Sequence, residues 1–225
     1  MRVRIVLWDV DGTLLENSAS AGSFYSRAIR DVAGVGPEPG SRPPAVEHGK
    51  TDAQIIVERL ALWGGDPALL PAVSARIDEL SDAYLTDAAR RTPTPGMDAA
   101  LLAVAAAGWT NGLLTGNSRR RARVKLQGAG VDTRAFDWDR SFFGDRATVR
   151  SELTSAARDA LAGSTAVILG DTPADGAAAD AVGFPFLAVA TGVYGVEELA
   201  ATSAVLVVPD LASGLDRLLG ALAAL

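Results

Sequence analysis

The sequence predicts an α/β fold: a Rossmann-like parallel sheet with helices on both faces, carrying a small all-helical domain inserted near its start. Three observations lead there. From Met97 onward, short apolar runs alternate with helix-length segments, which is the pattern of a parallel sheet. A lone strand pattern at residues 5–8 has no partner until residue 111, so it has to join that later sheet. The intervening chain has helical spacing and no strand pattern.

Taken in order, the apolar run Ile5-Val6-Leu7-Trp8 reads as a buried strand, and it stops at Asp9-Val10-Asp11-Gly12-Thr13. Residues 19–32 place Phe24, Ala28, Ile29 and Val32 on one helical face. Residues 34–44, rich in Gly and Pro, form a loop. Thr51 caps a helix through Ile55, Ile56 and Leu60 that Gly64-Gly65 ends. Asp66-Pro67 opens another, with Leu70, Val73, Ile77, Leu80 and Tyr84 in step. Residues 90–96, with Pro93 and Pro95, read as a linker. Then come a helix at 97–107, a strand at 111–115, a helix at 119–127, an edge strand at 141–143 and a helix at 150–161. Strands at 165–169, 186–190 and 204–208 and a helix at 211–222 complete the chain. The expected division is a core of residues 1–15 and 93–225 with a helical insert of residues 16–92.

The length of 225 residues suffices for a sizeable core, and an apolar share of 48% is ordinary. A net charge of −6 gives no reason to expect nucleic acid or an anionic membrane as partner. With no cysteine, disulfide and thiol chemistry are excluded. The first apolar run is far shorter than a signal-peptide core, and Asp or Arg interrupts the Ala-rich stretches before membrane-spanning length. A soluble, cytoplasmic protein is the expectation.

Buried parallel strands deliver the residues after them to the carboxyl edge of the sheet, where such folds bind ligands. Three strand ends carry polar groups there: Asp9/Asp11, Thr115/Gly116/Asn117 and Asp171/Asp175. Asp9 and Asp11 repel each other unless a cation sits between them or one keeps a proton. That points to a hard divalent metal, an acid and a nucleophile in one short stretch, with Gly12 allowing the sharp turn.

The pattern Asp9-x-Asp11-Gly12-Thr13, with the later strand ends in order, resembles the haloacid dehalogenase superfamily, and within it the phosphatases with a helical cap between the first and second motifs. The resemblance implies Asp9 as the nucleophile that becomes an aspartyl phosphate, and Asp11 as acid then base, holding a proton near neutral pH. It implies Thr115 with the N–H groups of Gly116 and Asn117 as the phosphate site. It also implies Mg2+ held by Asp9, the Asp11 carbonyl and Asp171. Asp175 either holds a metal-bound water or the loop, or is an ordinary first-turn helix acid. The family's phosphate-facing cation is assigned to Arg150, with Arg146 in reserve. Lys125 lies about 12 Å along its helix from Asn117 at 1.5 Å per residue and is read as a solvated residue. In the cap, Lys50 either touches substrate or is a solvated lysine beside a helix capped by Thr51 or Asp52, and His48 is a surface loop residue.

The leading expectation is a Mg2+-dependent phosphatase acting on a small phosphorylated metabolite, as monomer or homodimer. Asp11 argues against a true dehalogenase. A sugar-phosphate mutase tends to have a cap histidine shortly after its Asp11 counterpart, and the stretch here, with Ala21 in it, has none. A phosphonatase needs a Schiff-base lysine, for which Lys50 is the candidate. An inactive binding or scaffold protein on the same fold is the alternative from another class.

Overall fold

The structure, a computed structural model, describes residues 3–17, 21–38, 48–86 and 90–225. Its centre is a six-stranded sheet in the order β3-β2-β1-β4-β5-β6. The strands are β1 (Arg4–Trp8), β2 (Thr110–Thr115), β3 (Phe142–Phe143), β4 (Thr165–Gly170), β5 (Phe186–Val189) and β6 (Leu206–Val208). Every pairing is parallel, with Trp8 beside Leu113 on one side and Leu169 on the other. From Ile5 to Trp8 β1 is apolar and buried because helices cover both faces. Val6 and Trp8 face one core with α4 (Met97–Ala106) and α9 (Leu211–Ala223). Ile5 and Leu7 face the other with α6 (Arg150–Ala160) and Ala179 of α7 (Pro173–Asp180). The two-residue period of a strand thus feeds two separate cores. The Trp8 indole donates to Asn111 Oδ1 at 3.0 Å, and Asn111 Nδ2 to the Leu101 carbonyl at 3.1 Å, so these buried polar groups are satisfied.

Between β1 and β2 the chain forms α1 (Ala21–Ala33), α2 (Asp52–Leu62) and α3 (Leu70–Leu80), with short 3-10 turns at Pro67–Leu69 and Ser81–Leu85. Tyr25, Ile29, Ile56, Leu60, Val73 and Ile77 give these helices a core of their own. Ala19 and Ser20, expected in the first helix, and residues 39–44 of the expected loop lie outside the described residues. The two connectors run antiparallel: Leu15 stands opposite Pro93, Glu16 N–H donates to Thr92 O and Thr94 N–H to Leu14 O. Two remaining helices are α5 (Arg119–Gly128) and α8 (Val196–Ala200). α8 was not foreseen, and of α7 only a first turn holding Asp175 was considered. α7 reads Pro-Ala-Asp-Gly-Ala-Ala-Ala-Asp, which has no apolar period, because only small residues fit where Gly176 meets the Phe186 ring. Among the described residues no helix is long and apolar enough to cross a membrane.

Candidate active site

The order reverses on either side of β1, since β2 and β4 are its neighbours, and such a switch point is where open α/β sheets hold ligands. Asp9 follows β1 and Asp171 follows β4, so their carboxylates meet there. With Asp175 in the first turn of α7 they form a buried trio whose oxygens lie within 4.8 Å of one another. Arg150, at the start of α6, hydrogen-bonds Asp175 and stands 3.5 Å from Asp9 Oδ1. Asp175 also closes a capping box, accepting from Thr172 N–H and Oγ1 at 3.0 and 2.7 Å. Asp175 is thus a first-turn helix acid that also holds the loop at Thr172.

Three buried carboxylates against one guanidinium leave excess negative charge. Burial, with Asp175 and Asp11 adding to it against Arg150, pushes the Asp9 carboxyl up to about 7. Burial and the neighbouring Asp9 and Asp175 likewise raise Asp171 well above the carboxylate range. Thr13 Oγ1 donates to Asp171 Oδ1 at 3.1 Å, but Asp171 Oδ2 is buried with no hydrogen-bond partner among the described residues. A Cβ on Gly12 or Gly192 would stand 2.1 or 1.7 Å from that oxygen, so the chain leaves room around it. Gly12 has φ +84°, a second reason for glycine there. An unpartnered buried oxygen in an all-oxygen, over-charged cluster fits a hard divalent cation. The Asp11 carboxylate is not in this trio.

Two expectations are corrected at Asp11. It was expected to hold a proton. Burial does work in that direction, but the Lys125 ammonium and the Arg91 guanidinium, with hydrogen bonds from Lys125 and Asn117, hold its carboxyl well below the usual range. Lys125 was expected to be solvated and out of reach. It is 1% exposed, and its Nζ donates to Asp11 Oδ1 and Oδ2 at 2.8 and 2.6 Å and to Asn117 Oδ1 at 2.7 Å. The distance along the axis misled, because helical side chains lean toward the N-terminus and a lysine stem spans more than a turn.

The loop after β2 completes the network. Thr115 is fully buried, and its Oγ1 accepts from Asn117 Nδ2 at 2.8 Å. The same amide donates to Asp11 Oδ2 at 2.9 Å. Ser118 caps α5 by accepting from Arg121 N–H. The inserted helices reach this loop directly: Asp52 N–H donates to Gly116 O at 2.7 Å, and Asp52 Oδ2 accepts from Ser118 N–H at 2.9 Å. Asp52 Oδ1 takes a 2.7 Å bond from buried Arg121, joined by Tyr25. A Cβ on Gly116 would stand 2.3 Å from Lys50 O, so only glycine admits this approach.

The structure thus brings together Asp9, Asp11, Thr115, Gly116, Asn117, Arg150, Asp171 and Asp175. Arg146 is not among them: its side chain is exposed beside Asp145. Lys50 contributes backbone to the loop contact, while its ammonium pairs with Glu58 at the surface. Thr51 caps α2, and His48 is exposed. Sequence reasoning missed Arg91 and the Asp52–Arg121–Tyr25 cluster. Their only signal was charge within otherwise apolar helical faces and in the linker.

A family model for haloacid dehalogenase-like hydrolases matches residues 3–183. No curated relative matches the chain. Among solved structures, CbbY from Rhodobacter sphaeroides in complex with phosphate is similar at a TM-score of 0.70 and 21% identity, over 94% of this chain and 96% of that one. A hydrolase from Pseudomonas syringae gives 0.69 and 15%, over 96% and 98%. A haloacid dehalogenase hydrolase, family IA, variant 3, from Entamoeba histolytica gives 0.68 and 16%, over 99% of each chain.

Proposed function

The chain belongs to the haloacid dehalogenase-like hydrolases, and on that premise we propose that it is a Mg2+-dependent phosphatase of a small-molecule phosphate monoester, working through a phosphoryl group carried on Asp9. The observation that supports it most is the setting of Asp9. It is a buried carboxylate at a strand end, between Arg150 and the unpartnered oxygen of Asp171, with Asp11 two residues on.

In this reading an Asp9 oxygen attacks phosphorus as the ester P–O bond breaks, and the leaving oxygen takes a proton from Asp11. Substrate-free Asp11 is ionised, so its proton arrives with the substrate, whose negative charge raises the carboxyl's proton affinity. Lys125 and Asn117, bonded to the Asp11 oxygens, keep the carboxyl aimed. Asp11, ionised again, then takes a proton from the water that releases phosphate from Asp9. Thr115, the N–H groups of Gly116 and Asn117, and Arg150 hold the phosphoryl oxygens. Asp9 and Asp171, with Asp175 beside them, would hold Mg2+, which when bound neutralises phosphoryl charge. Residues 16–92 act as a cap that excludes water and reads the leaving group.

Hydrolysis of p-nitrophenyl phosphate with Mg2+, after removal of metal by chelator, tests the reading. Turnover should require Mg2+ and vanish in Asp9→Asn. Turnover indifferent to chelator, or retained by Asp9→Asn, contradicts it.

A further inference from the structure

Among the described residues, the buried side-chain N and O atoms without a hydrogen-bond partner are Asn17 Nδ2, Tyr84 Oη, Arg91 Nε and Nη1, Arg121 Nε, Arg150 Nε and Asp171 Oδ2. The last two belong to the phosphoryl and metal site. The first four gather elsewhere, where the connectors leave the core. The Leu15–Pro93 register brings Asn17 alongside Arg91. The Arg91 guanidinium lies 5.3 Å from the centre of the Tyr84 ring, and Lys125 Nζ lies 5.5 Å from it.

Arg91 is the telling member. Its side chain is 2% exposed, and its one ion pair among the described residues is with Asp11 at 4.0 Å. Lys125 already neutralises Asp11 at 2.6 Å, and Arg121 is neutralised by Asp52. On the Asp11 side, Lys125 and Arg91 thus set two positive charges against one carboxylate. A buried guanidinium without a carboxylate of its own is expensive, and native proteins seldom leave several buried donors unpaired together. Arg91 and Asn17 Nδ2 can only donate, and the Tyr84 hydroxyl can donate as well as accept, so an acceptor carrying negative charge suits all three. Arg91 addresses Asp11, whereas Arg150 addresses Asp9. The missing anion therefore belongs on the side of Asp11, where the leaving group departs.

We infer that Arg91, Tyr84 and Asn17, backed by Lys125, form a subsite for a second anionic group. The preferred substrates are then phosphate esters whose leaving group carries a carboxylate or another phosphate. This rests on the phosphatase reading above and adds the substrate class to it. It also moves the second-anion contact from Lys50, whose ammonium is held by Glu58, to the connector.

Three esters of one length test it: 2-hydroxyethyl phosphate, 2-phosphoglycolate and ethane-1,2-diol bisphosphate. The wild-type enzyme should favour one or both of the doubly anionic esters over 2-hydroxyethyl phosphate by about tenfold or more in kcat/KM. Which one it favours tells carboxylate from phosphate. Arg91→Met should collapse that ratio toward one, whatever it does to the common rate, and Tyr84→Phe should reduce it without removing the ring. Calorimetric binding of the three compounds to Asp9→Asn provides a readout without turnover. If the wild type turns over all three equally, or Arg91→Met slows all three in proportion, the subsite is wrong and the phosphatase reading stands. If nothing is turned over but 2-phosphoglycolate or the bisphosphate binds through Arg91, the subsite stands and the phosphatase reading falls. Equal binding of all three overturns the subsite.

Discussion

Asp171 and Asp9 sit in a field that opposes their own ionisation, and this has a consequence for stability. Their folded carboxyls are raised above the ordinary value of about 4, Asp9 to about 7. The folded, metal-free protein therefore holds protons that the unfolded chain releases, so its stability falls as pH rises from about 4 through about 7. Asp171→Asn removes one of the crowded charges while keeping an acceptor for Thr13. We expect it to raise the metal-free melting temperature at pH 8 by about 2–4 °C, roughly 1 kcal/mol, and to shrink the stabilisation that Mg2+ confers. A lower melting temperature contradicts this. At Asp11, Lys125→Met should lower kcat by about a hundredfold or more. Asp11→Asn combined with it should be no worse than Asp11→Asn alone, because the pair acts as a unit. Near-wild-type activity of Lys125→Met refutes that role. Asp9 and Asp171 were legible as strand-end residues because each follows an apolar run, and Asp11 because it lies two residues beyond Asp9. Lys125 and Arg91 were not, because a helix position and a linker position say little about where a long side chain ends.

At the scale of elements, the inserted helices are hydrogen-bonded to the loop after β2 itself. Asp52, the first residue of α2, binds Ser118 N–H at the start of α5 and neutralises Arg121 within it. Asp52→Ala leaves that guanidinium buried and unpaired, at a cost of about 3–5 kcal/mol and a fall in melting temperature of roughly 10 °C. It should also weaken turnover by loosening the loop, and Asp52→Asn should be milder on both counts. Equal, small effects of both variants on thermal scans would mean that the pair is not desolvated. The sequence showed that Thr51 or Asp52 begins a helix, since capping is local. It could not show Asp52 reaching residue 121, because that contact depends on how the insert folds back over the sheet. Beyond its first turn, helix α7 escaped for the opposite reason: its packing surface is made of Ala and Gly, which carry no period.

At the scale of the molecule, the sheet order follows from a few regularities. A first strand without a local partner must lie among the later ones, and right-handed parallel crossovers place β2 and β4 on its two sides. The strand-end side chains then gather at one edge, where the insert bonds the loop after β2 and the connectors bring Arg91 to Asp11. The claim on which this rests is that Asp9 carries the phosphoryl group. Its most direct test is to quench Mg2+-supported turnover in acid, reduce with borohydride and sequence the peptides by mass spectrometry. An aspartyl phosphate is reduced to homoserine, and the account predicts homoserine at position 9, dependent on both substrate and Mg2+. Homoserine at another aspartate during active turnover would contradict it.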